Sequence, residues 1–129
     1  MAKPYRVIHR LRISASDAHY AGELVDGARV LQAFGDAATD LLIQSDGTEG
    51  LFRAYSEVEF LAPVYAGDFL EIGAEIVRFG KTSRTLSFFA YKVIEASRKP
   101  RHPDRARVPK KPLLVAKAVG TCVVSKSKK

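Results

Sequence analysis

Between Tyr5 and Ile13 the odd positions are Tyr5, Val7, His9, Leu11 and Ile13, while Arg6, Arg10 and Arg12 flank Ile8 on the even ones. A repeat of two marks a strand with one covered face and one wet face. His9 lies on the apolar side and is expected to be a hydrogen-bonded structural histidine. From Leu24 the period changes. Leu24, Ala28, Leu31, Phe34, Ala38, Leu41 and Leu42 recur three and four apart, which predicts an amphipathic helix. Val25, Val30, Ala33, Ala37 and Ile43 widen the apolar band, so this helix should be mostly surrounded by protein. The segment SDGTEG, Ser45 to Gly50, supplies turn residues and a glycine stop.

Four strand-like segments follow: LFRAYSEVEFLA, DFLEIGAEIVRF, TSRTLSFFAYKVIEA and LLVAKAVGTCVV. PVYAGD joins the first two, a tight turn around Gly80 and Lys81 joins the next pair, and a proline-rich basic loop precedes the last. The order is β-α-β-β-β-β, an α+β chain. Strands of roughly twelve residues reach about 40 Å, and the helix about 30 Å. Five long antiparallel strands with one apolar helix to cover bury it best by wrapping around it. Phe88 and Phe89 put apolar side chains on both faces of one strand, more than a single helix covers. A second copy of the chain is therefore expected against the sheet, giving at least a dimer.

With 129 residues, 47% hydrophobic and 27% charged, the chain is expected to be one globular domain, 1–129. Its formal charge of +7 is unevenly spread: Ser97 to Pro112 carries +6 and the tail 125–129 another +3, which leaves −2 on the body. That is a basic loop on a faintly acidic body, not a nucleic-acid-binding surface. Four prolines in 97–112 argue against regular structure there, and the expectation is a solvated, disordered loop. Cys122 is the single cysteine, so no intrachain disulfide can form, and it reads as a small core residue. Arginines interrupt the N-terminal segment, which lacks the apolar core of a signal peptide, and no run approaches the ~20 apolar residues of a membrane span. A cytoplasmic protein without a membrane partner is expected.

The succession SASDAHYAGEL, helix, VEFLAPVYAGD and VRFGKTSRTLSFFAYKV resembles the hotdog fold of acyl-CoA thioesterases and dehydratases. Phe60, Pro63, Val64, Gly67 and Asp68 match one of its turns; Gly80, Thr82 and Ser83 match another. Within that superfamily, DAHYAGELVDGARVLQAFGDAATDLL with DGTEGLFRAY and GTCVV is similar to the CoA-ester ammonia lyases. These are the 3-aminobutyryl-CoA ammonia lyases of lysine fermentation and their beta-alanyl-CoA relatives. The resemblance implies reversible elimination of ammonia from a short 3-aminoacyl-CoA, with no metal and no organic cofactor; coenzyme A is part of the substrate. It also implies a homodimer assembled further into a hexamer or tetramer. Hydrolytic relatives often carry a carboxylate about two turns into the helix. Here Phe34 stands near that place, and Asp36, two residues on, faces differently.

Such an elimination needs a base for the α-proton, donors for the enolate-like oxygen and a group for the leaving amine. Gly27 and Ala28, at the helix start, are candidate oxyanion donors, because helix N-termini offer unpaired N–H groups and a positive dipole end. Asp17, Glu23 and His19 are the candidate catalytic groups. Glu23, between Gly22 and the apolar pair Leu24-Val25, is the least natural structural choice and the candidate ammonium holder; Asp17 or His19 would be its acid–base partner. Asp17 could equally cap a turn, His19 bond backbone within a packed loop, and Tyr20 sit in the core; Asp26 is expected to cap the helix. The turn Gly80, Lys81, Thr82, Ser83 and Arg84 is a candidate CoA-binding element, with a plain hairpin as the alternative. Thioester hydrolysis and enoyl-CoA hydration are the competing reactions. A non-catalytic acyl-CoA sensor or nucleic-acid module working through the basic loop ranks below them.

Overall fold

The computed structural model describes residues 5–18 and 20–125. Five long strands build one antiparallel sheet: β1 (Arg6–Arg12), β3 (Leu51–Phe60), β5 (Phe69–Phe79), β6 (Ser83–Ala96) and β8 (Leu113–Val123). Their spatial order is β1-β5-β6-β8-β3, and α1 (Gly27–Asp46) lies against the sheet's inner face. This is the hotdog arrangement that the sequence resemblance implies. Among the described residues, no helix is long and apolar enough to cross a membrane.

The alternation works as expected in β6, where Arg84, Leu86, Phe88, Ala90 and Lys92 are buried while Phe89 and Tyr91 face outward. On α1, Val30, Ala33, Phe34, Ala37, Ala38, Leu41 and Leu42 form the buried band. Phe34 stacks on Phe88 with ring centroids 5.1 Å apart, and Phe52 and Tyr55 complete an aromatic cluster around Phe88. In β3 the period of two fails. Bulges between Phe52 and Ala54 and between Tyr55 and Glu57 bring Phe52, Tyr55 and Val58, three residues apart, onto the inner side. His9 on β1 bonds Asp40 of α1 through Nε2 at 2.7 Å, the structural use expected of it. Hydrogen bonding to His9, and then to Gln44, holds the Asp40 carboxyl below its ordinary value.

The helix is shorter at its start than the spacing predicts. Leu24 and Val25 form a two-residue strand, β2, paired with β4 (Val64–Tyr65). Asp26 then caps α1 by accepting from the Arg29 amide. At the other end Gly47, at φ 71°, closes the helix with its N–H on the Ile43 carbonyl.

The basic loop is not a disordered tether. Its residues Ala106–Arg107 form β7 on the end of β6, pairing Ala96 with Ala106 and Glu95 with Arg107. The Ser97 amide donates to the Arg105 carbonyl at 2.8 Å, and turns close at Lys99–His102 and His102–Arg105. The prolines do break regular structure, as expected, but backbone pairing at the base folds the segment into a hairpin.

Candidate active site

The site is built from two segments clamped together: residues 13–26 ahead of α1, and the turn Phe60–Asp68 between β3 and β5. The turn is fixed from below by a buried ion pair. Asp68, fully buried, accepts from the amides of Tyr65 (2.8 Å) and Ala96 (2.9 Å) and from Lys92 Nζ at 3.0 Å. Lys92 also donates to the Pro63 carbonyl at 2.9 Å. Burying two charges is tolerable because hydrogen bonds satisfy both. From above, the Gly67 amide donates to the Ile13 carbonyl and the Ala66 amide to the Glu23 carbonyl.

This clamp sets an unusual backbone at Glu23. Its φ is 63°, alone among the described non-glycine residues in being left-handed, and it follows Gly22 at φ 70°. A side chain in that region costs roughly 1–2 kcal/mol. The carboxylate is exposed and lines a cleft of about 520 Å³ with Arg12, Ser14, Phe69, Ser97 and Arg105. A second, more apolar cleft of about 360 Å³ lies at the helix start, lined by Leu24, Gly27, Val30, Phe60, Pro63 and Val115. The Glu23–Leu24 peptide thus separates a polar cleft from an apolar one.

Gly27 and Ala28 occupy the first turn of α1, where their amides have no intrahelical acceptor. The Phe60 ring lies so close to Gly27 that a Cβ there would sit 2.5 Å from the ring's Cζ. Glycine lets the aromatic ring close over the helix end.

Asp17 is engaged twice. Its Oδ2 accepts from the Ser14 amide at 2.9 Å in a capping box, and its Oδ1 lies 3.2 Å from Arg29 Nε. The capping alternative is therefore realised, and the second oxygen ties the 14–18 turn to the helix start. Arg29 itself was not singled out in the sequence. A cation in a helix's first turn opposes the dipole, and that mismatch was the available signal. Lys92 was missed as well, although the β6 alternation places it inward. His19 lies outside the described residues. Tyr20 is exposed, which corrects its expected place in the core.

The turn Gly80–Arg84, the candidate CoA-binding element, lies at the far end of α1, and Arg84 is taken up by partners within the chain. Arg84 donates through Nε (2.9 Å) and Nη2 (2.6 Å) to Asp46, and through Nη1 to the carbonyls of Gly80 and Ser83. The Gly80 amide is bonded to the Ser83 carbonyl, Ser83 packs against Gly80, and the Thr82 carbonyl accepts from the Val124 amide. Lys81 is the one residue of the turn that is exposed. Asp46 is the last residue of the 20-residue α1, so the turn sits at the opposite end, about 30 Å from Gly27 and Ala28 in the same chain. Arg84, hydrogen-bonded to it, holds the Asp46 carboxyl below its ordinary 3.8.

Phe34 is sealed in the core, and Asp36, two residues on, is exposed. Among the described residues, no group of three or more His, Cys, Asp or Glu side chains is arranged to hold a metal ion.

A model of the thioesterase superfamily matches residues 24–93, more than half of the chain. The chain belongs to the thioesterase superfamily. The matched region runs from β2 through α1 and the 60–68 turn into β6. Within the superfamily, the chain is 54% identical over 119 residues to 3-aminobutyryl-CoA ammonia lyase from Acetoanaerobium sticklandii, covering 92% of this chain and 94% of that one. It is similar in structure to beta-alanyl-CoA:ammonia lyase from Clostridium propionicum, with a TM-score of 0.90 and 39% identity over 95% of this chain and 86% of that one. It also shares the fold of a hexameric thioesterase from Yersinia pestis, at a TM-score of 0.72 and 15% identity, covering 92% and 85%. The superfamily's frame is thus kept at low identity, while the close likeness is to ammonia lyases.

Proposed function

We propose that this protein is a CoA-ester ammonia lyase, interconverting a short 3-aminoacyl-CoA such as 3-aminobutyryl-CoA with the 2-enoyl-CoA and ammonia. The observation that carries the reading is Glu23, a carboxylate in a strained left-handed conformation, four residues ahead of the unpaired amides of Gly27 and Ala28. Strain of this kind persists where surrounding contacts impose it and clusters at functional sites. The 54% identity to an ammonia lyase over nearly the whole chain supports the reaction class.

In the elimination, the C2–H bond breaks and its electrons enter the C=C bond through an enolate-like thioester oxygen. Amides at a helix N-terminus stabilise such an oxygen. The C3–N bond then breaks, and ammonia leaves with the bonding pair. The proton taken from C2 returns to it as ammonium. Glu23 is assigned to the amino group and its proton, with Gly27 and Ala28 as the oxyanion donors. His19 remains the proposed acid–base partner. Asp17, with both oxygens engaged, holds the loop through Arg29. No metal or organic cofactor enters this scheme.

The assembly is proposed as a homodimer built further into a hexamer. Strand β3 pairs only with β8, its outer edge is open among the described residues, and Leu51, Phe60 and Leu61 are exposed along it. Hexameric assembly is known for the Yersinia pestis thioesterase. A cytoplasmic location belongs to the same proposal.

Purified protein incubated with crotonyl-CoA and ammonium should lose the enoyl-thioester absorbance without releasing free thiol. Thiol release would replace the reading with thioester hydrolysis. Loss of absorbance without ammonium would replace it with hydration.

A further inference from the structure

The sequence puts seven Lys/Arg and one Asp into residues 97–112. In an unstructured tether such a density of like charge needs no explanation, because the chain expands and water solvates it. Here the segment is folded back on itself. The β6–β7 pairing, the Ser97–Arg105 backbone bond and the Lys99 amide on Ser97 Oγ hold its two arms together. Folding cations into one hairpin raises their mutual repulsion unless an anion sits among them.

Two of the cations have partners within the chain. Arg107 lies 3.6 Å from Glu95, and Arg98 stacks over the Tyr65 ring at 3.9 Å. Lys99, Arg101 and Arg105 are exposed and have no ion pair among the described residues. Lys99, Arg105, Arg107 and His102 line a cleft of about 410 Å³ at the hairpin's base. That cleft shares Ala96, Ser97, Arg105 and Ala106 with the larger one that holds Glu23. The two clefts thus adjoin along these residues, with Glu23 lining one, and Lys99 and Arg105, which carry no ion pair among the described residues, lining the other beside the Arg107–Glu95 pair. Within one chain the hairpin lies at the same end of the sheet as Glu23: it follows the C-terminal end of β6, with the Gly80–Ser83 turn at the other end of that 14-residue strand, about 45 Å away.

We propose that the hairpin 97–112 binds the phosphates of the CoA nucleotide, with Lys99, Arg101 and Arg105 as the main ligands, while the thioester reaches along the adjoining clefts toward Glu23. The inference rests on the CoA-ester reading, but not on the ammonia chemistry. The substrate is thus gripped by its charged end at a site distinct from the reacting atoms. Arginine suits this role because its fork donates two bonds to a phosphate, and lysine adds a point charge.

The test uses the full chain and the variant K99S/R101S/R105S. CoA, 3'-dephospho-CoA and pantetheine are titrated calorimetrically at low and high salt. For the wild type, affinity should fall in the order CoA, dephospho-CoA, pantetheine, and CoA binding should weaken with salt. In the variant, CoA should bind about a hundredfold more weakly, roughly fivefold for each of the three exposed cations removed. The variant's preference for the CoA ester over the pantetheine ester should collapse with it. CoA affinity within twofold of wild type would overturn the proposal. Equal weakening of CoA and pantetheine would also overturn it, since that signals a damaged fold and not a lost phosphate site. Tighter binding of a single-stranded oligonucleotide than of CoA, dependent on the same three residues, would reassign the hairpin to nucleic acid. A protein that binds CoA as described yet adds no ammonia to crotonyl-CoA would retire the lyase reading and leave this one standing.

Discussion

Glu23 allows backbone cost and chemical role to be separated in one pair of variants. Glu23→Gly removes the side chain from φ 63°, which relieves about 1–2 kcal/mol of left-handed strain. The unfolded chain gains freedom at the same time, which offsets about 0.4–1 kcal/mol. The expected net effect is a stabilisation of about 0.5–1 kcal/mol, or roughly 2–5 °C in Tm for a domain of this size. Glu23→Gln keeps the strained backbone and the shape, and should leave Tm where it is. Both lose the carboxylate, and ammonia addition to crotonyl-CoA should fall by about 10²–10⁴ in each. Thermal unfolding followed by circular dichroism supplies one reading, and enoyl-thioester absorbance the other. A Glu23→Gln protein that turns over within twofold of wild type would refute the catalytic assignment. A Glu23→Gly protein less stable than wild type would refute the strain argument on its own.

Other consequences follow from the same geometry. Gly27→Ala forces the half-exposed Phe60 ring aside; the helix should be no less stable by thermal unfolding, while turnover drops about ten- to a hundredfold as the amides are shielded. Arg84→Met breaks a pair whose side chains are 10% and 17% exposed and should cost about 2–3 kcal/mol in a urea titration. Because the Asp46 pKa is depressed in the fold, the pair's contribution is complete above its ordinary 3.8 and fades as pH falls through the lower folded value. The stability gap between wild type and this variant should accordingly narrow in acid; a gap that widens there would sink the assignment. Burial pushes the Cys122 thiol up to about 11, so a thiol reagent at neutral pH should leave the folded protein untouched and react once denaturant opens it. That silence also keeps a thiol-release assay free of background from the protein.

The long elements were legible because their periods differ. Arg6, Arg10 and Arg12 alternating with apolar residues cannot be helical, and Leu31, Phe34, Ala38, Leu41 and Leu42 cannot be a strand. What escaped was whatever depends on two distant segments meeting. Leu24 and Val25 continue the helical spacing, yet they pair with Val64 and Tyr65, because the 60–68 turn is pinned beside them. The bulges that aim Phe52, Tyr55 and Val58 inward are set by β8 across the sheet. In the candidate site, Glu23 stood out as out of place, and its left-handed backbone gives that oddity a physical form. A basic residue in a glycine-containing turn looks ready for an anion, but the partner of Arg84 within the chain, Asp46, lies 38 residues away and is invisible to local pattern. The basic hairpin was misread for a related reason. Prolines and charge are reliable signs of irregular structure, but they say nothing of backbone bonds at the two ends of a loop.

The turn Phe60–Asp68 links these observations into one argument. Phe60 covers Gly27, Pro63 accepts from Lys92, Val64 and Tyr65 pair with Leu24 and Val25, Ala66 holds the Glu23 carbonyl, and Asp68 receives Lys92 from within. Three of these contacts tie the turn to the helix start or to the segment that precedes it, and the two through Lys92 anchor it to β6, so Glu23 and the first amides of α1 are held against one braced turn. The fold around this turn is shared by a thioesterase at 15% identity and a TM-score of 0.72. Chemistry can then change with few side chains. An apolar Phe34 locked against Phe88 leaves no carboxylate at that point of the helix interior, and the proposed reading places the working carboxylate at Glu23, ahead of the helix. With the acid at Glu23 as proposed, a lyase and a hydrolase of this fold would differ in where the acid stands relative to the helix start.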